Sequence, residues 1–102
     1  MISKKTTLIG LVCLLAASAT SAFAFTGEKY AGEAKINMSE ARVIALKAYP
    51  GKITDEELER EKGGSGLRYS FDIQKGKVTQ EVGVDAKTGK VLENDPEGPN
   101  SD

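Results

Sequence analysis

The sequence predicts an α+β fold, one α-helix packed on an antiparallel meander of three to four strands. Three observations carry this. Residues 37–49 repeat their apolar positions every three to four residues, the period of a helix covering a core. Residues 67–74 and 78–85 alternate apolar and polar side chains, the period of half-buried strands. Glycine-bearing punctuation at 63–66, 75–76 and 86–89 leaves room only for hairpins, and a parallel crossover would need a dozen residues or more. At 102 residues the chain has material for one such domain.

The first 24 residues read as a secretory signal peptide. Lys4 and Lys5 form the positive start, residues 8–17 an apolar run broken only by Gly10, and Ala22-Phe23-Ala24 a small-x-small ending, so the cut is expected after Ala24. The run is too short for a membrane span, which needs about 20 apolar residues. Cys13 stands inside the apolar run and not at its end, which argues against lipidation and makes it a small apolar member of the leader. Removing residues 1–24 takes away two lysines and no acid. That leaves 78 residues with 12 basic against 15 acidic side chains, a net charge of −3, and no cysteine. The expected location is periplasmic or secreted, with no membrane span after cleavage. Core packing alone has to stabilise the domain there.

Residues 25–35 are polar with isolated aromatics, Phe25 and Tyr30, and are expected to form a loose N-terminal arm with at most a short edge strand. The helix follows. Asn37 is a good N-cap, Glu40 stands three residues on in capping-box position, and Met38, Ala41, Ile44, Ala45, Ala48 and Tyr49 share one arc. Pro50 ends it, and Gly51 suits a left-handed turn. Residues 52–62 have the composition of a helix, but Ile53 and Leu58 are too few anchors for a buried stripe, so the segment is read as an exposed strand. In the next strand Leu67, Tyr69, Phe71 and Ile73 face inward and Arg68, Ser70, Asp72 and Gln74 outward. In the third, Val78, Val82 and Val84 face inward and Thr79, Glu81 and Asp85 outward. Residues 90–93 make a short last strand, the domain is expected over 36–93, and the acidic tail 94–102 is expected to be disordered.

Composition removes whole classes of function. Without histidine the usual general base, the Ser-His and Cys-His nucleophile systems and the commonest metal ligand are missing. The slightly acidic balance argues against a nucleic-acid partner, which requires a basic face. No catalytic residues, cofactor or metal ligands are assigned.

One stretch invites a site. Asp55, Glu57, Glu59 and Glu61 share a face if their segment is a regular strand. Such a row suits a cation or a basic peptide, but it equally suits a solvated strand whose charge repels edge pairing, and calcium sites usually come from turned loops. The pattern favours the solvated strand. Residues 63–66 lack the Lys-Ser/Thr of a phosphate loop and the second glycine of a nucleophile elbow, so they are a turn. Lys87 breaks a calcium-loop reading of 85–89, leaving Asp85 as an acceptor of local backbone hydrogen bonds.

An alanine-rich helix ending Ala48-Tyr49-Pro50-Gly51 leads to an acidic strand and a tyrosine-bearing strand. The hairpin Val84-Asp85-Ala86-Lys87-Thr88-Gly89-Lys90-Val91 follows. Together these resemble the PepSY domain of metallopeptidase propeptides and bacterial envelope proteins, over roughly residues 36–93. The resemblance implies a cystatin-like helix-on-sheet architecture and a role restraining or regulating peptidases, without catalysis. No peptidase follows within these residues, so the expectation is an exported module acting in trans on an envelope peptidase or another exported protein. A sheet edge is expected to take the partner, with Asp55, Glu57, Glu59, Glu61 and Tyr69 biasing the choice. The alternative is an envelope protein that binds a small ligand or divalent cation through its carboxylates.

Overall fold

The computed structural model describes residues 25–97, so the expected leader, its cut after Ala24 and residues 98–102 lie outside the described part. One helix, α1 (Met38–Ala48), lies on a four-stranded antiparallel meander. The strands are β1 (Lys52–Arg60), β2 (Leu67–Lys75), β3 (Val78–Asp85) and β4 (Val91–Pro96), in that order across the sheet.

The helix starts where the capping box closes. Glu40 N–H donates to Asn37 Oδ1 at 2.8 Å, and Asn37 N–H to Glu40 Oε1 at 2.8 Å. It ends at Tyr49, whose extended backbone is what Pro50 demands. Gly51 is not left-handed as expected. It is needed because a Cβ there would stand 2.7 Å from the Gln74 carbonyl oxygen, so the chain passes too close to β2 for any side chain.

Met38, Ala41 and Ala45 meet the inner face of the sheet, where Leu58, Leu67, Tyr69, Phe71, Ile73, Val82 and Val84 are all buried. Burying each large apolar side chain contributes about 1.5–3 kcal/mol. The small alanines let the helix sit close. The acidic segment is a strand, as read from its lack of anchors, but not a regular one. Ile53 pairs with Ile73 and Asp55 with Asp72, so Thr54 is an extra residue on β1. Ile53 and Leu58 are an odd five residues apart and would face opposite ways on a regular strand. The bulge brings both against the core.

Four expectations need correction. The arm is not loose: Thr26 bridges to Glu57 in parallel, and Glu28–Glu33 form a 3₁₀ turn beside β1. The last strand does not stop at 93. Asn94, Asp95 and Pro96 pair with Val82, Glu81 and Gln80, and Gln80 Nε2 donates to Asn94 Oδ1 at 2.7 Å. The start of the expected disordered tail is thus sheet, held by a ladder that composition does not reveal. Val78 is exposed, because it sits at the turn opposite Lys75, and buried Gln80 takes the inward place instead. Asp85 faces neither core nor water. It is 1 % exposed and bonded on all sides.

Candidate functional site

The helix covers one face of the sheet, and the other face is acidic. The register explains how. On β1 the residues after the bulge alternate, so Asp55, Glu57 and Glu59 point away from the helix, and Glu61 continues the row. Asp55 stands opposite Asp72, Asp72 opposite Glu81, and Glu81 opposite Asp95. One carboxylate from each of the four strands thus forms a single row across the sheet. Like charges placed directly across a ladder are destabilising, so nothing in sheet formation asks for this row. The next row runs Glu57, Ser70, Gly83 and Glu93.

Arg68 is the one basic residue lining the groove of about 360 Å³ that these side chains enclose. It is 9 % exposed. Its stem lies over Gly83, where a Cβ would come 3.1 Å from Arg68 Cδ. Its guanidinium donates to Glu93 Oε1 at 3.3 Å and to the Lys62 carbonyl at 3.1 Å. Its Nε is the only buried side-chain nitrogen or oxygen without a partner among the described residues. Ser70 Oγ donates to Glu59 Oε2 at 2.8 Å.

The carboxylates feel this crowding. Burial pushes Glu57 above the usual carboxylate range, with Glu59 and Asp55 adding to it. Burial raises Asp72 too, helped by Glu97 and Asp55. Glu81 is raised by burial and then by Glu93, Glu97 and Asp72. Oxygens of Asp72, Glu81 and Glu97 lie within 4.8 Å of one another, an all-oxygen set of the kind hard cations take.

Of the residues singled out in the sequence, Asp55, Glu57, Glu59 and Glu61 come together on this face. Tyr69 does not join them. It is buried on the helix side, where its hydroxyl donates to the Ile36 carbonyl at 2.7 Å. Asp72, Glu81, Glu93 and Arg68 were not singled out. The signal for three of them lay in the alternation of 67–74 and 78–85, whose outward sets include Arg68, Asp72 and Glu81. Adding the outward sets of three strands would have turned an acidic strand into an acidic face.

Of the serines near this face, Ser70 Oγ donates to Glu59 and Ser65 Oγ to Asp85. Residues 35–95 match the family model PepSY, described as the peptidase propeptide and YPEB domain. No curated protein and no solved structure matches the chain.

Proposed function

The chain belongs to the PepSY family, and on that footing we propose that it is an exported, non-catalytic binding module that regulates a peptidase in trans. It does so by holding a cationic segment of that protein, or of another exported partner, against the face the helix leaves open. PepSY domains are generally regulatory modules of propeptide or peptidase-inhibitor type, without catalysis of their own. The observation that carries the reading is the row Asp55, Asp72, Glu81 and Asp95 across all four strands. Its repulsion weakens the free domain, and a basic partner would relieve it. The same field would speed the encounter with such a partner at low salt.

The test is capture from an envelope extract, with the protein and its Asp72→Lys/Glu81→Lys variant as parallel baits, read by mass spectrometry. A peptidase enriched by the protein, released by salt and absent from the variant, supports the reading. Equal enrichment on both baits, or none on either, overturns it.

One observation favours a second reading. The Asp72, Glu81 and Glu97 oxygens are close enough to share a divalent cation. A melting temperature raised by millimolar Ca²⁺ or Mg²⁺, and not by the same ionic strength of NaCl, would support it.

A further inference from the structure

The outer edge of β1 already carries an added segment, and that segment belongs to the chain itself. Glu61 N–H donates to the Gly66 carbonyl, so the odd-numbered residues of this stretch turn their backbone groups toward β2. Those of Glu56, Leu58 and Arg60 therefore face outward. Leu58 N–H donates to the Thr26 carbonyl at 2.8 Å, with Thr26 running parallel to β1 beside Glu57. The contact is close: Gly27, at φ +86°, lies against the Leu58 carbonyl, and a Cβ there would overlap that oxygen at 1.7 Å. The arm is nonetheless not part of the core. Tyr30 packs half-buried against the core, with the Arg60 guanidinium 4.9 Å from its ring centroid, but no residue of the 3₁₀ turn is fully buried, and the ion pair of Glu33 with Arg60 at 2.6 Å is solvent-exposed on both sides. Such pairs contribute at most about 1 kcal/mol.

We infer that the β1 edge over residues 55–60 is a strand-addition site for an extended polypeptide segment with basic residues at alternate positions, and that residues 26–33 are a strap which this segment displaces. The inference rests on the proposed function and adds how the partner is read. An added strand in the orientation of Thr26 places every second side chain beside Asp55, Glu57 and Glu59 on the helix-free face. Its other side chains fall on the helix side, next to Glu56 and Leu58. Charge complementarity selects lysine or arginine for the first set. The Thr54 bulge ends the regular edge, which limits the segment to about six residues.

The probe is a capped nine-residue peptide alternating lysine and valine, compared with an isomer whose lysines are contiguous. Amide shifts and hydrogen exchange of the labelled protein are the readout. The alternating peptide is expected to bind more tightly than its isomer, to move the amides of Glu56, Leu58 and Arg60, and to protect those of Glu56 and Arg60, since Leu58 N–H only exchanges Thr26 for the added strand. Gly27→Ala and, independently, Glu33→Gln loosen the strap and are expected to tighten binding about fivefold. Shifts confined to Asp72, Glu81 and Glu93 overturn strand addition while leaving the acidic face as the binding surface. Equal binding of the two isomers, unchanged by either variant, reduces the effect to charge attraction and overturns it too. If neither peptide binds, the inference falls, and the capture experiment decides the proposed function separately. Concentration-dependent self-association of Gly27→Ala without peptide would give the edge to a second copy and overturn the basic-partner chemistry.

Discussion

Asp85, at the end of β3, accepts two hydrogen bonds from Ser65, twenty residues earlier in the turn between β1 and β2: one from its backbone N–H at 2.7 Å, one from its hydroxyl at 2.8 Å. The same carboxylate accepts from Lys87 N–H at 2.8 Å and Thr88 N–H at 3.1 Å. It therefore fixes its own turn and clasps the turn two strands away. Burial alone would raise its pKa, but these four bonds outweigh that and bring it down to about 2.

Breaking the clasp should be costly. Asp85→Ala leaves three backbone N–H groups without their acceptor and is expected to lose about 3 kcal/mol in denaturant unfolding. Asp85→Asn keeps one oxygen for Lys87, Thr88 and the Ser65 hydroxyl, but turns its amide on the Ser65 N–H, for a loss of about 1–2 kcal/mol. Ser65→Ala should lose about 1 kcal/mol. A loss for Asp85→Asn as large as that for Asp85→Ala would mean that the oxygen kept for Lys87, Thr88 and the Ser65 hydroxyl contributes nothing without the charge.

Stability should peak at mildly acidic pH. Asp85 has a folded pKa of about 2 against an ordinary 3.8, so its contribution is complete above that value and is lost as the pH falls toward 2. Glu57, Asp72 and Glu81 are shifted the other way, by burial and then by neighbouring carboxylates. The folded state favours their protonated forms, so stability falls as the pH rises through their folded values. Melting temperature in low salt is expected to be highest between about pH 4 and pH 6, and salt should flatten the neutral side. A neutral limb already flat in low salt would mean the face carries no mutual repulsion.

The helix, its capping box and the three hairpins were legible because each is written locally, in residues no more than four apart. What was not legible depends on partners distant in sequence. Asp85 looks like an outward strand residue until Ser65 is brought beside it. Residues 94–96 look like tail because their reason to be ordered is the β3 ladder and Gln80. The acidic strand was visible as a run, but the face was not. Its other carboxylates come one per strand, and only the register assembles them. Tyr69 sits at an inward position by its own alternation, and the sheet separates it from the acids of the open face.

Deleting Thr54 tests the bulge. With Thr54 removed, Ile53 and Leu58 stand four positions apart, so a regular β1 keeps both on the core while Asp55, Glu57 and Glu59 still face the groove. The partners Ile73 and Asp72 are already consecutive on β2, so the deletion is expected to be tolerated, with a change in stability of about 0.5 kcal/mol or less. Amide exchange should stay slow at Leu58 and should not rise at 52–53. A loss of more than about 1 kcal/mol, or faster exchange at 52–53, would mean that the bulge itself supports the sheet.

Neutralising the centre of the acidic row should stabilise the fold and impair its work. Asp72 and Glu81 face each other across β2 and β3, each with a further acid beyond it. Asp72→Asn with Glu81→Gln keeps the shape and removes the charge, with one acceptor oxygen of each exchanged for an amide donor. Relief of like-charge pairs worth a few tenths to about 1 kcal/mol each should raise the melting temperature by about 4–8 °C at neutral pH and low salt. Capture of a basic partner should fall in the same variant. Opposite movement of the two readouts is the mark of charges kept for binding at the expense of stability. If stability falls along with capture, the carboxylates support the sheet in some way that direct repulsion does not describe, and the row is not evidence for a partner. If stability rises and capture is unchanged, the partner reads another surface. The strap on β1 would then be the next place to look, because its release leaves these two side chains untouched.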